Sequence, residues 1–188
     1  MTAERPGEDT AAAASGPAAA TPRPPDARIA VVSDTHGLLP AAVPDACAGA
    51  DLIVHAGDVG SMDVLAALGR VAPVLAVRGN RDRTGEVAEL PLEAAGELAG
   101  LRFVVAHKRR ELLAAHPVPA QEGIRLLLYG HSHRAELRYR GDARPGGIPV
   151  LWVNPGTASA PLPWDPRPSM AWVEIRGGEP EARLVFLA

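Results

Sequence analysis

Three times in its first half the chain sets down a short aliphatic, β-branched run and then breaks at a carboxylate or an amide: "RIAVVSD" (28–34), "DLIVHAGD" (51–58) and "PVLAVRGN" (73–80). Apolar runs of this length without alternation read as strands buried on both faces, and each break marks where a strand leaves the sheet for a polar loop. The stretches between them, "LPAAVPDACAGA" (39–50, interrupted by Pro44) and "SMDVLAALGRV" (61–71, opened by Ser61 as a cap), have room for helices. Strand–helix–strand–helix–strand predicts a parallel sheet. In such sheets ligands sit beyond the carboxyl ends of the strands, so the break residues are the ones to collect.

The second half has a different rhythm. "LEAAGELAG", "LRFVVAH", "IRLLLYGHSH", "AELRYR", "IPVLWVNPG", "MAWVEIRG" and "EARLVFL" are short strands separated by turn signals, which predicts a second, mostly antiparallel sheet. The expected fold class is α/β: two packed mixed β-sheets flanked by helices, in one domain over residues 28–188. Residues 1–27, rich in Ala, Pro, Gly, Ser and Thr, carry no large apolar side chain after Met1 and read as a disordered tail. No run approaches the roughly 18 apolar residues of a membrane span, so no membrane partner is expected. The single cysteine, Cys47, cannot form an internal disulfide, which makes a cytoplasmic location the simplest expectation.

Collected strand by strand, the polar residues at the ends of the apolar runs are Asp34 with His36, Asp58, Asn80, His107, and His131 with His133. All are metal-ligand types. Residues two apart on an extended segment point the same way, so "DTH" and "HSH" can each offer two ligands to one point. A mixture of Asp, Asn and His without thiolate suits Mn, Fe, Zn, Ni or Co better than calcium. Seven ligands are too many for one ion and suit two that share a carboxylate, for which Asp58 is the natural bridge. Two cations about 3.5–4 Å apart acidify a bridging water and clamp a phosphoryl group for in-line attack. Each ending alone also has an ordinary reading as a capped turn or a packed histidine, and His55 is read as packed; the conjunction on five candidate strands points to phosphoester hydrolysis.

In chain order, "SDTHG", "HAGDV", "GNRD", a strand ending in "AH" and "YGHSH" resemble the calcineurin-like metallophosphoesterases, and the short chain is similar to their small YfcE-type phosphodiesterase branch. "WVNPGT" (152–157) resembles that branch's "NPGS" turn, and the likeness spans residues 28 to about 176. The resemblance implies a first metal on Asp34, His36 and His133, a second on Asn80, His107 and His131, and Asp58 as bridge. It implies two divalent ions, manganese first among them with Zn, Fe, Ni or Co as substitutes. A hydroxide bridging those ions would attack a small phosphodiester substrate, with Asp58, Asn80 and Arg81 as the catalytic residues.

Two departures matter. Many relatives have "GNH", with a His that aids protonation or phosphate binding; here Arg81 and Asp82 follow Asn80, and Arg81 can grip a phosphoryl oxygen without cycling a proton. Asp82 is expected to orient Asn80 or a neighbouring histidine, with a surface turn as the other reading. Many relatives also have "THGH" where this chain has "AHKRR", so Lys108, Arg109 and Arg110 form either a cationic rim for substrate or a solvated loop. Rival readings are a non-catalytic protein-binding scaffold of the same fold, a phosphomonoesterase or nucleotidase, and a nuclease. A net charge of −3 and 4% aromatic residues argue against a nucleic-acid partner. Self-association into a homo-oligomer is left open.

Overall fold

The computed structural model describes residues 25–140, 148–159 and 167–187. The tail expected over residues 1–27 falls mostly on residues 1–24, which lie outside the described residues. Its last residue, Ala27, opens strand β1 (Ala27–Val32) and pairs with Ile175. Strands β2 (Leu52–His55) and β3 (Val74–Ala76) lie parallel to β1 in the order β1–β2–β3, as the repeated run-and-break pattern predicts. The crossovers carry α1 (Ala42–Ala46) and α2 (Met62–Leu68). Pro44 fits because it stands in the first turn of α1, where backbone N–H groups lack intrahelical partners. Ser61 caps α2: its Oγ accepts the Asp63 N–H at 3.1 Å.

The second half builds more than one antiparallel sheet. Strands β4 (Glu93–Leu98), β5 (Leu101–Ala106), β6 (Leu126–Leu128), β7 (Glu136–Arg140) and β8 (Val150–Asn154) assemble in the order β4–β5–β6–β8–β7. The pairs at the two edges are antiparallel, but β5, β6 and β8 run parallel, which corrects the antiparallel expectation. Parallel neighbours need a long crossover, and between β5 and β6 it contains a helix, α3 (Arg109–Ala115), where the sequence predicts a loop or rim. The last two strands, β9 (Ser169–Arg176) and β10 (Glu179–Phe186), return to the first sheet, where β9 pairs antiparallel with β1 to give the order β10–β9–β1–β2–β3. Gly177 and Gly178, both with positive φ, make the tight turn between them.

The result is two five-stranded mixed sheets packed face to face. Period-two alternation sorts each buried run onto two faces. Ile29 and Val31 of β1 meet Phe103, Val105, Leu126, Leu128, Leu151 and Val153 in the core between the sheets. On the outer face of the first sheet, Ala30, Val32 and Ile53 pack under Val43, Val64 and Leu68 of α1 and α2. On the outer face of the second, Val104 and Leu127 pack under Leu112 of α3. Both faces of each central strand are thus covered, which is why these runs read as continuously apolar; each such side chain contributes roughly 1.5–3 kcal/mol. No helix among the described residues is long and apolar enough to cross a membrane.

Candidate metal centre

The parallel strands of both sheets deliver their carboxyl ends to one edge, and the loops there interlock. Beyond the end of β1 the backbone continues to pair with the segment after β2: the N–H groups of Asp34, His36 and Gly37 donate to the carbonyls of Gly57, Asp58 and Val59 at 3.0, 2.9 and 2.8 Å. Among the described residues six non-glycine positions have positive φ, and five of them are Asp34, His36, Asp58, His131 and His133. Each such residue stores of order 1–3 kcal/mol, a strain that persists only where the surroundings over-determine it and that gathers at functional sites. The sixth is Ala99, in the β4–β5 turn.

Those turns bring the predicted ligands together. Ligand atoms of Asp34, His36 and His133 lie within 4.8 Å of one another, as do those of Asp34, Asp58 and His107, so Asp34 belongs to both groups. His36 Nε2 stands 3.1 Å from His133 Nε2, and His133 Nε2 3.3 Å from Asp34 Oδ1. His107 Nδ1–H donates to the Ala56 carbonyl at 2.8 Å, which turns Nε2 toward Asp58 Oδ2 at 3.5 Å. The His131 ring stacks edge-on to His107 with centroids 5.2 Å apart. Asn80 is half-buried at the end of the β3 run and lines the same cavity as His131.

Three of these side chains carry an unanswered atom. Asp34 Oδ1, Asn80 Oδ1 and His107 Nε2 are buried without a hydrogen-bond partner, Arg78 Nε being the other such atom among the described residues. Leaving a buried polar atom unsatisfied costs about 1–3 kcal/mol, and more for a charged group. Three orphaned lone-pair atoms of ligand type, in the loops after β1, β3 and β5, are the donor set that divalent cations would satisfy. The residues present therefore fit a metal centre.

Around this cup stand residues that hold the loops. The sequence leads one to expect Asp82 to orient Asn80 or a histidine; instead its carboxylate accepts three backbone N–H groups, from Val59 at 3.0 Å, Gly60 at 2.8 Å and Gly79 at 2.8 Å, tying the β2 and β3 loops together. Arg81 enters through its backbone, whose N–H donates to Asp58 Oδ1 at 2.7 Å, while its side chain is exposed and does not line the cavity. Asn154, in the "NPGT" stretch, donates from Nδ2 to the Gly130 carbonyl and to Ser132 Oγ, both at 3.0 Å. Thr157 and Ser159 donate to the carbonyls of Asp34 at 2.9 Å and Thr35 at 3.0 Å. Only their place after an "NPG" turn hints at these clamps. The glycines before the ligands are steric necessities: a Cβ on Gly79 would fall 2.0 Å from Asp58 Oδ1, and one on Gly130 would fall 1.9 Å from Ser33 Oγ.

The chain has counterparts among known proteins. The family model of the calcineurin-like phosphoesterase superfamily domain matches residues 28–178. The chain belongs to this superfamily. A probable metallophosphoesterase of Methanothermobacter thermautotrophicus is 31% identical over 166 residues, covering 84% of this chain and 91% of the relative. Among solved structures, Vps29 of Chaetomium thermophilum superposes with a TM-score of 0.65 at 18% identity, covering 85% of this chain and 95% of that one. Vps29 of Entamoeba histolytica complexed with zinc gives 0.61 at 20% identity, covering 85% and 98%. At these identities the two structures attest the fold alone.

The electrostatics of this calcineurin-like site follow from its burial. Burial pushes the Asp58 carboxyl up, but the His107 ring facing it at 3.5 Å and the hydrogen bond from the Arg81 N–H outweigh it and leave the group below its ordinary value. His107 is opposed by burial yet raised on balance by Asp58. His131 is lowered by burial and by the neighbouring His107 and Lys108. His55 takes no place in the cup: Gly57 N–H donates to its Nδ1 at 3.3 Å, and its Nε2–H donates to Thr35 Oγ1 at 2.9 Å, which in turn donates to the Val59 carbonyl. It is neutral, pushed down to about 4, mainly by burial. Beside the cup an open cavity of about 570 Å³ is lined by Asn80 and His131 and also by Arg83, Lys108, Arg109 and Arg110.

Proposed function

We propose that the chain is a phosphodiesterase that uses two divalent cations, one held by Asp34, His36 and His133, the other by Asn80, His107 and His131, with Asp58 between them. The observation that carries this reading is the trio of buried, unanswered ligand atoms on Asp34, Asn80 and His107. When bound, such a pair of ions supplies a polarised phosphoryl oxygen and an acidified water for in-line displacement. The chain's own residues do the rest. The Arg81 N–H holds one oxygen of Asp58, leaving the other directed at His107. The Ala56 carbonyl fixes the tautomer of His107, and Asp82 and Asn154 keep the loops from shifting. Manganese is the first metal to try, and zinc the second, since a structural relative is known complexed with it. A cytosolic location fits a chain whose one thiol, Cys47, is free and buried.

Diesters with acidic leaving groups are favoured over alkyl monoesters because no histidine is left to act as general acid. Of the six histidines, four stand in the cup, His55 is buried on Thr35, and His116 is held by Glu122 at 2.6 Å and Glu93 at 3.2 Å. Arginine at position 81 cannot replace one, which forfeits roughly 10²–10⁴-fold for poor leaving groups. The test is hydrolysis of bis(4-nitrophenyl) phosphate and 4-nitrophenyl phosphate with added manganese, followed by an aryl-to-alkyl leaving-group series. The diester should be cleaved faster, with a steep leaving-group dependence and full loss on chelation. Faster monoester cleavage would make the protein a phosphomonoesterase; no metal-dependent cleavage of either would favour the scaffold reading.

A further inference from the structure

The cavity beside the cup gathers cationic side chains. The chain is net negative, at −3, yet four cationic side chains, Arg83, Lys108, Arg109 and Arg110, converge on this one space of about 570 Å³. The carboxylate in its wall is already engaged: Glu136 accepts the Tyr129 hydroxyl on Oε2 at 2.6 Å and pairs through Oε1 with Arg138. Among the described residues the Lys108 side chain has only a distant ion-pair partner, Glu111 at 4.0 Å, and the one hydrogen bond of the Arg83 side chain is from Nε to the Asn80 carbonyl at 2.8 Å. Arg109 and Arg110 make no hydrogen bond or ion pair with any described residue. Four cations set against one wall carboxylate, Glu136, and the more distant Glu111 leave an excess of positive charge, and an anion seated among them would offset it and accept forked hydrogen bonds from the guanidinium groups. The volume lies in the range of small-molecule sites.

We propose that this basin recognises a second anionic group on the substrate, so that the enzyme acts on small phosphoesters carrying a further phosphate besides the one that is cleaved. The proposal rests on the phosphoesterase reading above for its reaction, and on the basin alone for its selectivity. Asn80 and His131 are shared between cup and basin, which puts the second group within one small molecule of the reacting phosphorus.

The experiment compares thymidine 5′-(4-nitrophenyl phosphate) with the same ester bearing a 3′-phosphate, since the two share one leaving group. Wild-type enzyme with manganese should show a kcat/KM at least about tenfold higher for the 3′-phosphorylated ester, in line with a charge-assisted contact. In Arg109→Gln/Arg110→Gln that preference should shrink to about twofold or less, and Arg109→Lys/Arg110→Lys should restore most of it. Equal kcat/KM values in wild type, or a preference that survives the double Gln substitution, would overturn the basin while leaving the esterase standing. If neither ester is cleaved, the esterase reading fails, and calorimetric titration of metal-free protein with inorganic pyrophosphate decides the basin by itself. Binding that the Gln pair abolishes supports it; no binding, or equal binding by both proteins, refutes it.

Discussion

In the ligand cup, Asp34, Asp58 and His107 are buried, their backbones are pinned by neighbouring loops, and five of the seven candidate ligands are held at positive φ. In the basin next to it, Arg109 and Arg110 sit on the first turn of a short helix, partly or fully exposed, without a side-chain hydrogen bond or ion pair to any described residue. The two regions share Asn80 and His131 and yet are built to different tolerances. Groups that must meet an ion at a fixed distance stand on strand ends whose geometry the whole fold determines; groups that meet a mobile anion can remain on long, uncommitted side chains. Changes in the cup should therefore damage turnover, and changes in the loops that hold it should damage stability, whereas changes in the basin should alter selectivity alone.

The largest effect expected is on turnover. Asp58→Asn removes the charge between the two ligand groups while keeping the side chain's shape, and should lower kcat at least about a hundredfold with a small change in melting temperature. A variant with wild-type kcat would show that Asp58 does not bridge.

Acid should act next, through a histidine buried outside the cup. Burial holds His55 at about 4 against an ordinary 6.5, outweighing the carboxylates of Asp34, Asp82 and Asp58. Its native pKa lies below the unfolded one, so as the pH falls the unfolded chain takes up the proton first. This contribution to the stability of metal-free protein is full above about pH 6.5 and is lost progressively toward pH 4, by an amount of order 3 kcal/mol. Denaturant titrations at several pH values would measure it, and a flat profile between about 6.5 and 4 would contradict the buried, neutral assignment.

Asp82→Asn replaces an oxygen that accepts backbone N–H groups with an amide that cannot, and should cost about 1–3 kcal/mol in denaturant unfolding. At the small end, Arg109→Gln/Arg110→Gln should change stability by no more than about 0.5 kcal/mol, because both side chains lie at the surface and neither hydrogen-bonds nor ion-pairs with a described residue. A large loss there would mean that the basin is structural and would erase the contrast between the two regions.

The cup is legible in the amino-acid order because buried strands advertise themselves twice, through an apolar run and through the polar residue that ends it. Every one of its seven residues follows such a run. What is not legible is whatever depends on distant pairing. Nothing local in "MAWVEIRG" says that it will lie beside "RIAVVSD" in the first sheet, so the antiparallel rhythm of the second half reads as one sheet. Helix α3 is hidden by its cations and by Lys108 standing where Ser or Asp usually caps. Asp82 does lie near the site, but with partners other than those its place in the motif suggests, since a carboxylate's reach to three backbone N–H groups depends on how two loops meet.

Counting metal tests the seven-ligand centre most directly. Wild-type protein purified with added manganese and freed of excess by gel filtration should retain about two divalent ions per chain by elemental analysis, as a dinuclear centre requires. Retention of no transition metal under those conditions, in protein that is otherwise folded, would contradict it.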